Sequence, residues 1–135
     1  MNQNPNAICW FEIYVDDMER AKSFYHAVLG VAFQDMSMPD ESGDIQMSCF
    51  PADPDPDKMA VSGALIRMEG VRAKNDCQPT STIVYFPCID CSVEESRVEA
   101  AGGRIQKAKF SLGEYGFCSI CQDTEGNAFG LYSMQ

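Results

Sequence analysis

The chain has 135 residues, of which 45% are hydrophobic and 22% are charged, and its formal net charge is −10. This length suits one domain with a sizeable core but is too short for two independently stable domains. The negative charge repels nucleic acid phosphates and anionic lipid head groups, so we expect no nucleic acid and no membrane partner. Because no apolar run approaches the ~20 residues that span a bilayer, and no signal peptide pattern is present, we expect a cytoplasmic protein.

The first half of the chain predicts a βαβββ module over residues 7–69. Residues 7–15 alternate in polarity as a strand does, and Asp16 or Asp17 caps a helix over residues 18–29 that Gly30 ends. The apolar stripe of this helix consists of Met18, Ala21, Phe24, Tyr25, Val28 and Leu29. The pattern predicts three further strands, over residues 31–36, 44–50 and 61–68.

The first strand has two chemically different faces. Its apolar face carries Phe11, Ile13 and Val15 and is expected to pack against the helices. Its mixed face carries Trp10, Glu12 and Tyr14 and is expected to line a cavity.

The second half repeats the pattern of the first. Asp17 and Asp90 lie 73 residues apart, each between an alternating strand and a helix, so the chain holds two copies of one unit. The second module, residues 80–134, is predicted to contain a helix over 91–101 and strands over 81–88, 104–107, 116–122 and 127–133. Residues 123–126 form the turn before the last strand.

The repeat predicts an α+β fold in a single domain, residues 1–135. Two βαβββ modules give about eight strands, which would form a cup-shaped mixed sheet with helices outside. A cup implies a ligand.

Two runs of sequence resemble a known superfamily. Residues 11–30 read FEIYVDDMERAKSFYHAVLG and residues 123–131 read DTEGNAFGL. This pattern is similar to the vicinal oxygen chelate (VOC) superfamily, which includes glyoxalase I, extradiol dioxygenases, and the fosfomycin and bleomycin resistance proteins. The resemblance implies the fold described above and, because members often pair modules across chains, a homodimer.

The resemblance also implies where a divalent metal would bind. In metal-dependent members, His, Glu or Gln ligands come from the first and last strands of each unit. The corresponding positions here fall on Trp10, on residues 63–65, on Ile83 or Val84, and on Gly130, none of which offers a ligand. We therefore expect no cofactor, with a divalent metal bound by other residues left open.

Glu12 is the candidate catalytic residue and, with Trp10 and Tyr14, a candidate ligand-binding residue. A carboxylate on the cup face would hold a cationic or hydroxylated ligand, or act as a general base. The alternative is a structural role in which Glu12 reaches solvent or pairs with a base such as Arg67. In the second half an aromatic wall is predicted, with Phe129 or Tyr132 from the last strand added to Tyr85, Tyr115, Phe117 and Ser119.

Histidine and cysteine offer weaker signals. His26 is the only histidine and is expected on the exposed side of the first helix, which argues against Ser-His-Asp catalysis. Two C-x-x-C pairs, Cys88 with Cys91 and Cys118 with Cys121, resemble a zinc site, but their separation exceeds the usual roughly 15–20 residues. All seven cysteines are therefore expected to be reduced, mostly buried thiols, and they are Cys9, Cys49, Cys77, Cys88, Cys91, Cys118 and Cys121.

Three functions remain open from the sequence. The leading hypothesis is a glyoxalase-like protein that binds a small organic molecule in the cup without the usual metal ligands, in the manner of bleomycin resistance proteins. The first alternative is a lyase or isomerase related to lactoylglutathione lyase, with Glu12 as the general base. The second is an interaction module stabilised by zinc on the two cysteine pairs.

Overall fold

The computed structural model describes residues 6–36, 45–68 and 82–135. Some predicted features lie outside the described residues. They are the turn within residues 39–43, the first residues, 44 and 81, of two predicted strands, and Cys77.

The described elements confirm two successive βαβββ patterns and an α+β fold. The first consists of β1 (Trp10–Tyr14), α1 (Met18–Leu29), β2 (Gln34–Met36), β3 (Ile45–Cys49) and β4 (Ser62–Met68). The second consists of β5 (Thr82–Pro87), α2 (Cys91–Val98), β6 (Arg104–Ser111), β7 (Phe117–Gln122) and β8 (Ala128–Ser133). Short 3₁₀ helices lie at Pro56–Lys58 and Gly113–Tyr115.

Four elements differ in extent from the prediction by three residues or more. Strands β1 and β2 begin three residues later than predicted, at Trp10 and Gln34. Helix α2 ends at Val98 instead of residue 101, because the Gly103 N–H donates to the Val98 carbonyl at 2.9 Å and the chain turns through Gly102 at φ +104°. Strand β6 continues to Ser111, four residues beyond its predicted end, with two register shifts along its pairing with β7. Such irregularities weaken the period-2 pattern from which a strand is recognised.

The predicted helix boundaries are confirmed at α1. The Asp17 carboxylate accepts a hydrogen bond from the Arg20 N–H at 3.0 Å, which identifies Asp17 as the N-cap. At the other end Gly30 adopts the left-handed conformation at φ +71° and donates its N–H to the His26 carbonyl.

The chain divides into two compact units, which are described separately. The first is Phe11–Thr82 and the second combines Met1–Trp10 with Ile83–Gln135. The strand order is β2-β3-β4-β1 in the first unit and β5-β8-β7-β6 in the second. Strand pairing is both parallel and antiparallel, because β5 pairs with β8 in parallel while β3 with β4 and β7 with β8 are antiparallel. Within the described ranges no helix has the length and apolar character needed to cross a membrane.

In the first unit, α1 packs on the sheet face that carries Phe11. The Phe33 and Phe50 ring centroids lie 4.7 Å apart, and Phe11 and Tyr25 of α1 lie 5.3 Å and 6.0 Å from Phe50. Each such pair contributes ~0.5–1.5 kcal/mol beyond its burial. Leu65 is fully buried. We call this side the helix face of the first unit.

Polar contacts confirm which residues share the helix face. The Lys22 ammonium of α1 contacts the Asp35 carboxylate at 2.9 Å, and the Ser48 hydroxyl donates to the same oxygen at 2.8 Å. Asp35 of β2 and Ser48 of β3 are register partners, so both strands present these residues to α1.

The apolar stripe predicted for α1 is only partly buried. Met18 is buried and Tyr25 is half-buried, but Phe24, Val28 and Leu29 are 57–61% exposed. The stripe is therefore wider than the contact of α1 with its own sheet, toward which the helix turns mainly Met18 and Tyr25.

In the second unit, α2 covers the face formed by β6, β7 and β8. Its first residue, Cys91, packs with Cys121 and Leu131 as a buried cluster. The Cys91 N–H also donates to the Ser133 hydroxyl at 2.9 Å, which ties the start of α2 to β8. We call this side the helix face of the second unit.

Candidate functional site

The face of the first unit opposite α1 holds the candidate site. Strand alternation and the registers of β2, β3 and β4 fix its residues. We call it the helix-distal face, and its described residues are Glu12, Tyr14, Gln34, Met36, Ile45, Met47, Cys49, Ala64, Ile66 and Met68.

Glu12 and Tyr14 form a buried hydrogen-bonded pair on this face. The Tyr14 hydroxyl donates to Glu12 Oε1 at 2.8 Å. The exposed fractions of the two residues are 9% and 7%. Because a carboxylate leaves water at high cost, a buried one requires donors or charge to compensate it. The tyrosine supplies one donor and fixes the orientation of the carboxylate.

The surroundings of this pair are apolar. Ala64 and Ile66 of β4 are buried, while Met47 and Cys49 of β3 are half-buried. Among the described strand residues of the helix-distal face, Glu12 is the one with a charged side chain. The face therefore combines one carboxyl group, oriented by Tyr14, with a mostly apolar lining.

Cys49 and Glu12 lie on the same helix-distal face, with β4 between their strands. Burial raises the pKa of Cys49 above its ordinary value, and the negative charge of Glu12 raises it further. A thiol with a raised pKa is mostly protonated at neutral pH and reacts slowly with electrophiles.

We expect Glu12→Gln to speed the alkylation of Cys49. Removing the carboxylate charge lowers the pKa of the thiol and increases the thiolate fraction, while burial continues to slow the reaction. Peptide mass spectrometry after timed iodoacetamide treatment at pH 8 measures the rate, with Cys118 of the second unit as the internal control. An unchanged Cys49 rate with normal folding would contradict the placement of the two groups.

Arg67 does not share the helix-distal face with Glu12. Its register partner is Gln46, and both alternate with residues of that face. The Arg67 Nε donates to the Asp16 carbonyl at 3.1 Å. The predicted alternative of a direct Glu12 to Arg67 pair is therefore not supported by the strand positions.

Trp10 begins β1, is half-buried and groups with the second unit, so its predicted place beside Glu12 stays a prediction.

The second unit has its own face opposite α2, and Tyr85 lies on it. The Tyr85 ring covers Gly130, where an added Cβ would lie 2.1 Å from the nearest ring atom. Cys118 and Tyr132 are register partners on this face. Burial raises the pKa of Tyr132, with further contributions from Cys9 and Cys118, so its hydroxyl is protonated at neutral pH.

Two predicted wall residues lie on the other side of this sheet. Phe117 packs against the Cys91 cluster on the helix face, and the Ser119 hydroxyl lies 3.5 Å from the Cys121 sulfur. The prediction that Phe117 and Ser119 line the same wall as Tyr85 is wrong. Both residues are adjacent to Cys118 in β7, and adjacent residues of a strand project to opposite faces.

The remaining residues of the predicted aromatic wall, Phe129, Tyr115 and Tyr132, also do not share one face. Phe129 contacts Phe86 on the helix face at 6.0 Å between ring centroids. Tyr115 lies in the second 3₁₀ helix, is 50% exposed, and accepts a hydrogen bond from the Tyr132 hydroxyl through its carbonyl. Whether Tyr85, Tyr115 or Tyr132 touches a ligand stays a prediction.

The four cysteines of the two pairs do not all converge. Cys88 packs against the buried cluster that contains Cys91 and Cys121, whereas Cys118 points to the opposite face of β7. The six described cysteines are free thiols. Burial raises the pKa of Cys88 to about 12, and the nearby Glu94 adds to this, so the thiolate that zinc requires is disfavoured.

His26 is exposed, as predicted, and its Nδ1 lies 2.9 Å from the Val31 carbonyl on the outer side of α1. It lies on the helix side of the first unit, away from Glu12. This placement gives it no part in the candidate site.

Comparisons with known proteins agree with this architecture. A family model described as "Bleomycin resistance protein-like N-terminal" matches residues 7–48. Methylmalonyl-CoA epimerase from Mycobacterium tuberculosis superposes with a TM-score of 0.65 at 14% identity, covering 96% of this chain and 88% of that chain. A Streptomyces coelicolor methylmalonyl-CoA epimerase variant bound to 2-nitronate-propionyl-CoA gives 0.68 at 16% identity, covering 95% and 96%. The chain has the VOC fold.

A third solved structure, a hypothetical protein from Bacillus halodurans, gives a TM-score of 0.67 at 8% identity and covers 95% of this chain and 94% of its own. No curated protein matches the sequence. The fold that the resemblance to the VOC superfamily implied is confirmed, and identities this low carry the fold alone.

The metal positions of the VOC fold can be located from backbone hydrogen bonds that repeat in the two units. The Val15 N–H donates to the Ile66 carbonyl, and the Cys88 N–H donates to the Tyr132 carbonyl. Five residues before Val15 and Cys88 lie Trp10 and Ile83, and two residues before Ile66 and Tyr132 lie Ala64 and Gly130. This equivalence selects Ala64 from residues 63–65 and Ile83 in place of Val84.

These four residues do not fit a divalent metal. None has a side-chain atom that can coordinate a metal ion. At Gly130 the space that a metal-binding side chain would need is filled by the Tyr85 ring. In the described ranges no group of three or more His, Cys, Asp or Glu residues is placed to hold a metal ion. We therefore assign no chemical step to the metal of the VOC superfamily.

Sequence reasoning identified Glu12 and Tyr14 but missed the lining around them. Met36, Met47, Cys49 and Met68 come from strands whose alternation is short and mixed in polarity. The signal that would have found them is the pairing register of β2, β3 and β4, which a single sequence does not contain.

Proposed function

We propose that this VOC-fold protein is a cytoplasmic binding protein for a small organic molecule, and that Glu12 anchors the ligand on the helix-distal face of the first unit. The ligand has an apolar body and a cationic or hydrogen-bond-donating group. The observation that carries this proposal is a carboxylate 9% exposed, held by the Tyr14 hydroxyl, within an apolar lining.

Physical chemistry supports this assignment. Replacing both members of a buried polar pair by apolar side chains often leaves a protein equally or more stable, so structure alone gives little reason for a Glu12 to Tyr14 pair. A ligand cation or N–H group would add a hydrogen bond to Glu12 beyond the contacts it already makes, and hydrogen bonds to charged groups contribute ~1.5–3 kcal/mol. The half-buried Met and Cys side chains give such a ligand apolar contact area.

Tetraphenylphosphonium, an apolar cation, tests the proposal by isothermal titration calorimetry. We expect saturable binding by the unmodified protein and a loss of about 10-fold to 100-fold in affinity with Glu12→Gln, because that range corresponds to roughly 1.4–3 kcal/mol. The matched control is Glu19→Gln, which removes an acid from α1 whose side chain is 85% exposed.

The two variants separate a specific site from general attraction to an acidic protein. Equal losses in Glu12→Gln and Glu19→Gln would show that only the net charge attracts the cation. No saturable binding by the unmodified protein, or full binding by Glu12→Gln, would overturn the proposal. Native mass spectrometry of the freshly purified protein adds the mass of any retained ligand and the oligomeric state, for which we propose a homodimer.

The second candidate function is a lyase or isomerase in which Glu12 is the general base. The Glu12 to Tyr14 hydrogen bond favours it, because a base must be held in a defined orientation. Exchange of a carbon-bound hydrogen of a candidate substrate with deuterium from solvent, followed by NMR, distinguishes this enzyme from a binding protein. A catalyst exchanges the hydrogen and Glu12→Gln does not, whereas a binding protein leaves the substrate unlabelled.

A further inference from the structure

Three methionines lie side by side on the helix-distal face, one on each of β2, β3 and β4. Met36 and Met47 are register partners, Met47 pairs with Ile66, and Met68 pairs with Ile45 in the next row. Side chains directly opposite in an antiparallel pair have Cβ atoms about 4.5–5.5 Å apart, and diagonal neighbours stay within reach of long side chains. The three thioethers therefore form one continuous patch.

The burial of this patch differs from that of the Glu12 to Tyr14 pair on the same face. Met36, Met47 and Met68 are half-buried, whereas Glu12 and Tyr14 are buried. The methionines thus present part of their surface beyond the packed core, and the carboxylate lies deeper.

The choice of residue is unusual for a strand. Val and Ile favour strands because they are stiff at χ1 and pack well on a pleated surface. Methionine instead has three rotatable side-chain bonds and a polarisable sulfur, so its surface adapts to different neighbours. Met-rich surfaces are typical of proteins that bind partners of varied shape.

We infer that the site takes apolar organic cations of differing shape, with Glu12 as the fixed anchor and Met36, Met47 and Met68 as the adaptable lining that sets specificity. This inference rests on the function proposed above. The hydrogen-bonded Glu12 to Tyr14 pair selects the charged group, and the thioether side chains repack around whatever body carries it.

Three probes of different shape test the inference by calorimetry: tetrahedral tetraphenylphosphonium, a planar acridinium dye and linear dodecyltrimethylammonium. We expect the unmodified protein to bind all three with dissociation constants within about tenfold of one another. The double variant M36L/M47L keeps the volume and apolar character of the lining but loses side-chain flexibility. We therefore expect the ratio between its weakest and tightest dissociation constants for the three probes to increase by ~10-fold or more. The matched control is Met59→Leu, in the exposed loop between β3 and β4.

The outcomes separate the inference from the proposed function. If the unmodified protein binds one shape alone, or if M36L/M47L keeps the same breadth while Met59→Leu is normal, the inference is overturned and the proposed function stands. If no probe binds, both fail. Single variants Met36→Leu and Met47→Leu, each expected to narrow the range partly, replace the double variant if circular dichroism shows that it does not fold.

Discussion

Replacing Gly130 with alanine is expected to destabilise the protein by about 3 kcal/mol or more, the upper range for overpacking a core. A Cβ at this position would lie 2.1 Å and 2.3 Å from two Tyr85 ring atoms, whereas carbon atoms in contact are normally about 3.5–4.0 Å apart. Tyr85 is buried, so its ring has little space in which to move. Urea unfolding followed by circular dichroism measures the loss.

A companion pair of variants identifies the cause. In Tyr85→Ala the ring is absent, so adding Gly130→Ala to that variant should cost much less than it does alone. Gly63 is the matched contrast, because its nearest neighbour is the Phe11 backbone carbonyl at 2.4 Å and a side-chain truncation cannot relieve that contact. Wild-type stability of Gly130→Ala would show that the ring does not occupy this space.

The same contact explains why this VOC-fold chain does not suit the metal chemistry of the superfamily. A ligand at position 130 would require a side chain larger than alanine, so Gly130→Glu would be more disruptive than Gly130→Ala. Ala64 and Ile83, at two of the other positions, are buried in apolar surroundings. Restoring a metal site would therefore require changes to the packing as well as to the donors.

Local patterns predicted most of the fold because the decisive signals were short in range. Asp17 and Gly30 mark the ends of α1 through interactions with residues three or four positions away. The turn at residues 123–126 closes through the Asp123 N–H to the Asn127 carbonyl. Such signals lie within a few residues of sequence and can be recognised without knowledge of the tertiary structure.

The candidate site was less predictable because it depends on pairing between distant strands. Glu12 and Tyr14 belong to one strand, so their shared face followed from alternation alone. The face of Phe117 depended on where α2 packs, and the presence of Cys49 on the same face as Glu12 depended on the order and register of β1, β4 and β3. A single sequence contains the period of a strand but not its partners.

We expect Glu12 and Tyr14 to be strongly coupled in a double-mutant cycle of unfolding free energies. Tyr14→Phe removes the hydroxyl that donates to Glu12 at 2.8 Å and should cost about 1–3 kcal/mol, because the carboxylate stays buried with one donor fewer. Glu12→Leu should cost a similar amount by leaving the Tyr14 hydroxyl without this acceptor. The double variant E12L/Y14F removes both polar groups and should be nearly as stable as the unmodified protein.

Stability and binding should then separate in the double variant. Urea unfolding at pH 7 gives the coupling energy, expected to be close to the sum of the two single losses, about 2–6 kcal/mol. Calorimetry with tetraphenylphosphonium gives the affinity. A stable E12L/Y14F protein that no longer binds the cation would show that the pair is kept for the ligand and not for the fold. If the two single losses instead add in the double variant, Glu12 and Tyr14 are not coupled, and the proposal that they act together as the ligand anchor is contradicted.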